Sequence, residues 1–412
     1  MTEPRRVVVT GIGPVTPVGT GVEPFWEAVV AGRNGIGPIR TIDASALPVR
    51  VAGEVTDFVA TDHMGAKEAR HTDRVTHFAV AAAKLAWADA GAPAVDPART
   101  GVMFSTGIGG IVSLLRQHEV FLARGADRVS PFMVPQLMPN ASAGHIAMEF
   151  GFTGPNACIT TACAASGHAL GEAFRWIRDG RIDVCVAGGG EAAIHGLTIS
   201  AFAQMQALTK NPDHERASRP FDRDRDGFVL SEGAGALILE DEERARARGA
   251  RIYAEVVGYG ASADAHHITA PEPGGLGAAA AMRDALRDAG AAPEDVGYVN
   301  AHGTSTQLND AAETRAIKRV FGDHAYRVPI SSTKSMTGHM LGAAGAVEAA
   351  VCALVVGRGL LPPTINHEHP DEECDLDYVP NEAREADVEL ALSDSFGFGG
   401  QNAVVAIRRY RP

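Results

Sequence analysis

Ile159-Thr160-Thr161-Ala162-Cys163-Ala164-Ala165-Ser166-Gly167 sets a cysteine between two kinds of pattern. A short β-type run over 157–161 leads into it, and a Gly/Ala-rich helical pattern over 164–176 leaves it. The first N–H groups of a helix are unpaired and carry partial positive charge. Both effects favour thiolate over thiol, which makes Cys163 a candidate nucleophile at neutral pH. Ala162, Ala164 and Ala165 are small enough to let a carbonyl approach the sulfur. A lone cysteine is equally at home as a buried core residue, so the local sequence leaves both readings open.

Outward from Cys163 the chain alternates. Strands are read at 5–10, 101–105, 183–187, 234–240, 252–259, 296–300, 328–331, 390–395 and 402–408. Helical patterns lie at 25–31, 73–90, 277–289, 310–321 and 338–356. Residues 111–150 read as an inserted set of helices and loops, punctuated by Pro131, Pro135 and Pro139. The halves rhyme: in each, a strand delivers a small-residue helix (from Cys163, then from His339), and a glycine-bracketed strand pair closes the unit. Alternation predicts an α/β fold with a mixed, mostly parallel sheet. Duplication predicts two units packed back to back, 1–250 and 251–412, divided at the charged stretch 241–251.

The composition narrows the function classes. The chain has 412 residues, 45% hydrophobic and 21% charged, as expected for a protein that buries a large core. A net charge of −13 argues against nucleic acid as a partner. Five cysteines, an odd number with no Cys-x-x-Cys pair, fit a reducing cytosol better than a disulfide scaffold. Met-Thr-Glu-Pro-Arg-Arg runs into an apolar segment, 7–9, too short for a signal peptide. The longest apolar stretch, 342–356, contains Glu348 and reads as too short to span a bilayer. A soluble, cytoplasmic protein without membrane attachment is the expectation.

Two motifs mislead. Gly11-Ile12-Gly13-Pro14 follows a strand, but Thr16 stands where a dinucleotide fingerprint has its third glycine, and Pro14 and Pro17 obstruct a helix. Asp222-x-Asp224-x-Asp226-Gly227 imitates the start of an EF-hand. Its twelfth position is Gly233 rather than glutamate and arginines interrupt the acids, so calcium is rejected there.

Three further stretches carry chemistry-bearing residues. Asn300-Ala301-His302-Gly303-Thr304-Ser305-Thr306 presents a histidine among hydroxyls at a strand end. Ser331-Ser332-Thr333-Lys334-Ser335-Met336-Thr337-Gly338-His339 sets Lys334 and His339 before a Gly/Ala helix. Phe396-Gly397-Phe398-Gly399-Gly400 is a turn whose N–H groups suit an oxyanion. Singly, these read as a core histidine, a surface charge and a flexible hairpin. Together with Cys163 they fall at strand C-termini, where α/β folds place their ligands.

These segments, with Val7-Val8-Val9-Thr10-Gly11, Thr161-Ala162-Cys163 and Asp226-Gly227-Phe228-Val229, resemble the elongating β-ketoacyl-[acyl-carrier-protein] synthases, closest to the ketosynthase II group. The resemblance runs nearly end to end. It implies the thiolase-like fold, a duplicated α-β-α-β-α arrangement of five layers. It also implies a Cys-His-His triad at Cys163, His302 and His339, an active-site lysine at Lys334 and a gate at Phe398 that shares an oxyanion hole with Cys163. Acyl-pocket residues fall on Ile108 and Phe202, with Phe396 in the same apolar wall. Thr269, Thr304 and Thr306 fall where the phosphopantetheine arm passes, and Glu348 is placed behind the histidines with Lys334.

The implied reaction is decarboxylative condensation of an acyl-cysteine with a malonyl carrier, needing no metal or redox cofactor. The implied partners are an acyl carrier protein and a second subunit, identical or of the chain-length-factor type. The dimer contact implied is the strand before Cys163 with part of 111–150, bringing the mate's residues near 133–138 to the pocket. An acidic carrier meeting an acidic chain requires a local basic patch, for which Lys67, Arg70, Arg74, Arg124 and Arg128 are the candidates. Ala164-Ala165-Ser166, Asp394 and Gln401 depart from the family pattern and leave fatty-acid and type II polyketide pathways both open. A degradative thiolase would need a second cysteine near the C-terminal glycine turn, where Phe398 stands, with Cys374 well upstream. A non-catalytic chain-length factor would lack the nucleophile.

Overall fold

The computed structural model describes residues 4–412; the first three residues of the N-terminal Met-Thr-Glu-Pro-Arg-Arg lie outside it. The apolar, β-branched runs form strands β1 (Val7–Thr16), β2 (Thr100–Ser105), β3 (Asn156–Ala157), β4 (Val184–Glu191) and β5 (Gly233–Asp241) in the first half. The second half holds β6 (Ala254–Ala263), β7 (Val296–Asn300), β8 (Ile330–Ser331), β9 (Leu390–Gly397) and β10 (Gln401–Arg408). The hydrogen-bonded order is β3-β2-β4-β5-β1 in one half and β8-β7-β9-β10-β6 in the other. Strand for strand the two orders are the same. So is the pairing: the first two contacts of each are parallel, and the next two antiparallel. β1 and β6 join the halves through Val7 to Val9, and with a two-residue strand at Gly19–Thr20 paired to β1 this makes one 11-stranded sheet.

Helix α1 (Arg74–Asp89) lies on β1 and β5, while α2 (Ile111–Arg124) belongs to the inserted segment. α3 (Ala165–Arg178) follows Cys163. α4 (Leu276–Asp288) lies on β6 and β10, in the place α1 has in the first half, and α5 (Gln307–Phe321) packs beside it. α6 (Ala344–Arg358) follows His339. α3 and α6 pack on each other and on strands of both halves, forming the middle of five layers, α-β-α-β-α. The Gly/Ala composition explains this position: Gly167 faces Ser395 and Ala403, and Gly345 faces Gly167, so the backbones approach without intervening side chains.

Gly11-Ile12-Gly13-Pro14 ends no strand and starts no helix. β1 runs through it to Thr16, with a bulge between Val9 and Gly11. A methyl at Gly11 would sit 2.2 Å from the Ala86 carbonyl, and one at Gly13 2.1 Å from that of Ala82. The glycines let α1 lie on the strand. Gly258 and Gly260 of β6 do the same under α4, 2.3 Å from the Ala285 carbonyl and 2.0 Å from that of Ala281.

Three other expectations shift. The strand before Cys163 is only Asn156–Ala157; beyond it the Ile159 N–H goes to the Ser105 hydroxyl rather than to a strand partner. Helix α6 starts at Ala344, leaving His339 in an extended segment bridged to Leu230. The apolar stretch extends over Leu341–Arg358, 18 residues with mean hydropathy 1.6, long and apolar enough to cross a membrane. It is 89% buried against strands of both halves, so its hydrophobicity is that of a core helix.

Candidate active site

Cys163 sits in a single 3-10 turn, Ala162–Ala164, that feeds α3. The turn is entered through Ala162 at φ +49°, a left-handed conformation that side chains usually avoid. Gly397 permits the crossing beneath it, since a methyl there would lie 2.6 Å from the Thr161 carbonyl. The Phe398 N–H and the backbone N–H of Cys163 itself lie near the sulfur and favour its charged form. The same two donors suit a tetrahedral oxyanion formed at that sulfur.

The helix-start argument for a resting thiolate is overturned. Cys163 is buried, and burial pushes its thiol up to about 12, against the pull of Lys334 and the two N–H groups. The resting sulfur is a thiol, and an adjacent base has to take its proton.

His302 follows β7, clamped by Glu313 of α5, whose carboxylate accepts the His302 N–H and the Gly303 N–H, both at 2.7 Å. His339 is held by the segment at Val229–Ser231: its N–H donates to the Val229 carbonyl at 2.8 Å, and its carbonyl accepts from Ser231 N–H at 3.0 Å. The Phe228 ring meets the His339 ring edge-on at 5.2 Å. One ligand-type atom from each of Cys163, His302 and His339 lies within 4.8 Å of the others. Burial and the Lys334 charge depress both histidines well below their ordinary value, so both are neutral imidazoles at neutral pH.

A thiolate and two imidazoles at this spacing also describe a metal site, but the surroundings do not fit one. Metal-bound histidines donate their second ring nitrogen to a carbonyl or carboxylate; here Nδ1 of each is buried without a partner, and Lys334 places a cation nearby. In the Asp222-x-Asp224-x-Asp226 stretch, Asp222 and Asp224 meet His369 within 4.8 Å, but Asp226 does not join them. Asp222 accepts from the N–H groups of Asp224, Glu368 and His369, whereas Asp226 turns to Thr209 and Lys210.

A cavity of about 510 Å³ reaches the three side chains. Ile108, Phe202, Phe396 and Phe398 line it, as do Thr269, Thr304 and Thr306. Ile108, Phe202 and Phe228 share one apolar cluster with Cys163, and Phe396 packs edge-on to His302 at 5.8 Å. Thr304 and Thr306 hydroxyls hydrogen-bond at 3.0 Å, and Thr306 also caps α5 by accepting the Asn309 N–H. Lys334 does not reach the cavity. It lies behind the histidines, its ammonium on the Glu348 carboxylate, with both groups buried. Burial pushes the Glu348 carboxyl up against the pull of that ammonium.

Three residues that shape the site had no assigned role in the sequence. Phe228 belonged to a quoted motif without a stated contact. Glu191 lies far in sequence from what it holds, and Glu313, though on the helix just after His302, carries no motif that marks it.

The basic patch loses a member. Arg74 forms a fork with Glu232, donates to the Val55 carbonyl and lies over the Phe78 ring, so it is no free cation. Lys67, Arg70, Arg124 and Arg128 are exposed, with no acidic partner among the described residues.

Comparison with known proteins agrees with this geometry. Residues 4–245 match the family model for the beta-ketoacyl synthase N-terminal domain, and 253–368 that for the C-terminal domain. The chain is 50% identical over 412 residues to 3-oxoacyl-[acyl-carrier-protein] synthase 2 of Synechocystis, covering 99% of each protein. It is 47% identical to the protein of that name from Staphylococcus aureus, covering 100% of each. Among solved structures, the ishigamide ketosynthase/chain length factor superposes with a TM-score of 0.93 at 38% identity, covering 99% of this chain and 100% of that one. AntDE:AntF, a type II polyketide acyl-carrier protein in complex with its ketosynthase bound to the hexaketide, gives 0.92 at 36%, with the same coverage.

Proposed function

The chain belongs to the β-ketoacyl synthase family, acyltransferases that condense and elongate chains in fatty-acid or type II polyketide synthesis, and from that membership we propose how its own residues divide the work. A neutral imidazole of the His302–His339 pair takes the Cys163 proton as an acyl carrier thioester arrives. The sulfur bonds to the acyl carbon, and the carrier's phosphopantetheine sulfur leaves with that proton. The Cys163 and Phe398 N–H groups hold the oxyanion in passing.

A malonyl carrier then enters and its carboxylate departs as CO₂. Neutral His302 and His339 are suited to donating ring N–H bonds to the enolate oxygen left behind. The apolar wall of Phe202, Phe396 and Phe398 disfavours the carboxylate and excludes water. The enolate carbon attacks the acyl-Cys163 carbonyl, the sulfur leaves and is reprotonated, and the product is a 3-oxoacyl chain two carbons longer. Bonds and charges balance with thioesters, side chains and one proton taken from solvent per turnover to re-form the Cys163 thiol, which supports a reaction using no metal or redox cofactor. Thr269, Thr304 and Thr306 are assigned to the phosphopantetheine arm.

The convergence of Cys163, His302 and His339 at one end of the cavity carries this reading. Incubation with acyl and malonyl carriers is expected to yield one 3-oxoacyl carrier per CO₂, with an acyl adduct on Cys163 by mass spectrometry. No adduct would leave the scaffold reading of a chain-length-factor subunit. The thiolase reading has no support in the site: Phe398 stands at the turn, and Cys374 does not line the cavity.

For partners we propose an acyl carrier protein, docked on Lys67, Arg70, Arg124 and Arg128, and a second subunit, either a copy of this chain or a paralogue. Phe121, Leu122, Phe132, Val134 and Met138 are exposed on the inserted segment, and β3 ends the sheet with a free edge, which supports pairing there. Reversing charge in an Arg70→Glu/Arg128→Glu double variant is expected to raise KM for carrier-bound substrate several-fold at low salt, with kcat nearly unchanged. An unchanged KM would remove this surface from docking. Five free cysteines support a reducing, cytoplasmic setting.

A further inference from the structure

Glu191 ends β4 and is fully buried. It touches no reacting atom, yet its carboxylate bonds to both sides of the site. Oε1 accepts the Thr106 hydroxyl at 2.9 Å. Oε2 accepts the Gly107 N–H at 2.8 Å and the Gly342 N–H at 3.1 Å. Thr106 in turn accepts the Gly109 N–H at 3.1 Å, so the carboxylate and one hydroxyl fix the turn that carries Ile108.

Gly107 and Ile108 form the cavity wall beside Cys163, and Leu341, which joins His339 to Gly342 through Met340, lines the same cavity. The two turns meet backbone to backbone: a methyl at Gly342 would lie 2.2 Å from the Gly107 nitrogen. A methyl at Gly107 would lie 2.7 Å from Glu191 Oε2. All three groups on the carboxylate are neutral donors. A residue needed only to fill this space would be apolar, since burying a carboxyl among neutral groups is costly.

We propose that Glu191 is a positioning residue: its carboxylate fastens the Ile108 wall of the acyl pocket to the turn after His339, so acyl-chain fit and histidine placement are set together. The inference rests on the assignment of Cys163 as the acyl-bearing nucleophile. The charge adds a second mark. Burial pushes the Glu191 carboxyl up to about 7, and its negative form raises the Cys163 thiol.

Glu191→Gln keeps an oxygen for the two N–H groups and an amide that donates to the Thr106 oxygen, but it has no charge. Glu191→Ala loses both. In the full-length protein, turnover over a ladder of acyl carriers and the pH dependence of Cys163 alkylation by iodoacetamide separate the two. E191A is expected to change the preferred chain length and to lower kcat/KM at the original optimum by roughly tenfold to a hundredfold, the cost of misplaced groups. E191Q is expected to keep the ladder but to alkylate several-fold faster at a given pH, because the thiol titrates lower without the charge. An E191A ladder identical to wild type overturns the proposal. Should E191A fail to fold, Glu191→Asp takes its place, because its shorter arm cannot reach Thr106, Gly107 and Gly342 together, and a wild-type ladder in that variant overturns the proposal. A wild-type protein that alkylates at Cys163 but never acylates there would sink the condensing assignment instead.

Discussion

Cys163→Ala is expected to abolish acyl-enzyme formation and to reduce condensation on the order of 10⁴-fold or more, the scale of losing a covalent nucleophile. The fold should survive. The change removes one buried sulfur from a cluster of Ile108, Phe202, Phe228 and Leu341, a loss of about 1 kcal/mol. Mass spectrometry of the intact protein after incubation with acyl carrier reads the adduct directly, and the denaturant midpoint reads the fold. Residual turnover within tenfold of wild type would place the nucleophile elsewhere. Because the resting sulfur is a thiol pushed up to about 12 by burial, its activation has to come from a neighbouring base. His302→Ala and His339→Ala are therefore expected to slow acylation as well as decarboxylation.

Lys334→Ala is the second large effect. It leaves the Glu348 carboxylate buried without its cation, which costs about 3–5 kcal/mol. Lys334→Ala/Glu348→Ala should recover most of that loss, since the uncompensated charge is gone. The charge also acts on the histidines. Burial and, after it, the Lys334 charge hold His302 and His339 below their ordinary value, so removing the charge lets both titrate higher. On the proposed roles, activity requires neutral imidazoles and is lost as pH falls through their titration. The acid limb of the pH–rate profile is therefore expected to move to higher pH in the variant, measured as kcat/KM against pH. A limb that stays in place while stability drops would confine Lys334 to the fold.

Much of this was legible in the chain, for physical reasons. Strands and helices announced themselves by period, and the two small-residue helices marked a layer that has to be thin, because both sheets press on it. His302 and Phe398 were visible because each follows a strand end with glycine or hydroxyl residues around it, and Cys163 and His339 because each stands just ahead of a Gly/Ala-rich helix. The errors share one origin, which is that sequence gives neighbours along the chain and burial is set by neighbours in space. The helix start at Cys163 favours an anion, but the apolar walls that outweigh it come from residues 108, 202, 228 and 341. Arg74 reads as one cation among five until Glu232 is brought against it. Gly11 and Gly13 look like a phosphate turn because helix contact and phosphate contact both demand a missing side chain. Glu191 was silent for the same cause, being defined by backbone groups of distant turns.

The repeated strand order has a consequence for how such a reaction is written into a scaffold. Two copies of either half would rebuild the frame, yet would offer a pair of sulfurs or a pair of imidazole sets, never the mixture. The asymmetry of the chemistry therefore resides in a handful of short loops at corresponding strand ends, while sheets and helices stay interchangeable. Changing what this molecule makes is accordingly a matter of rewriting those loops, and cutting the chain near residue 250 should give two inert fragments whose activity returns only when they are mixed.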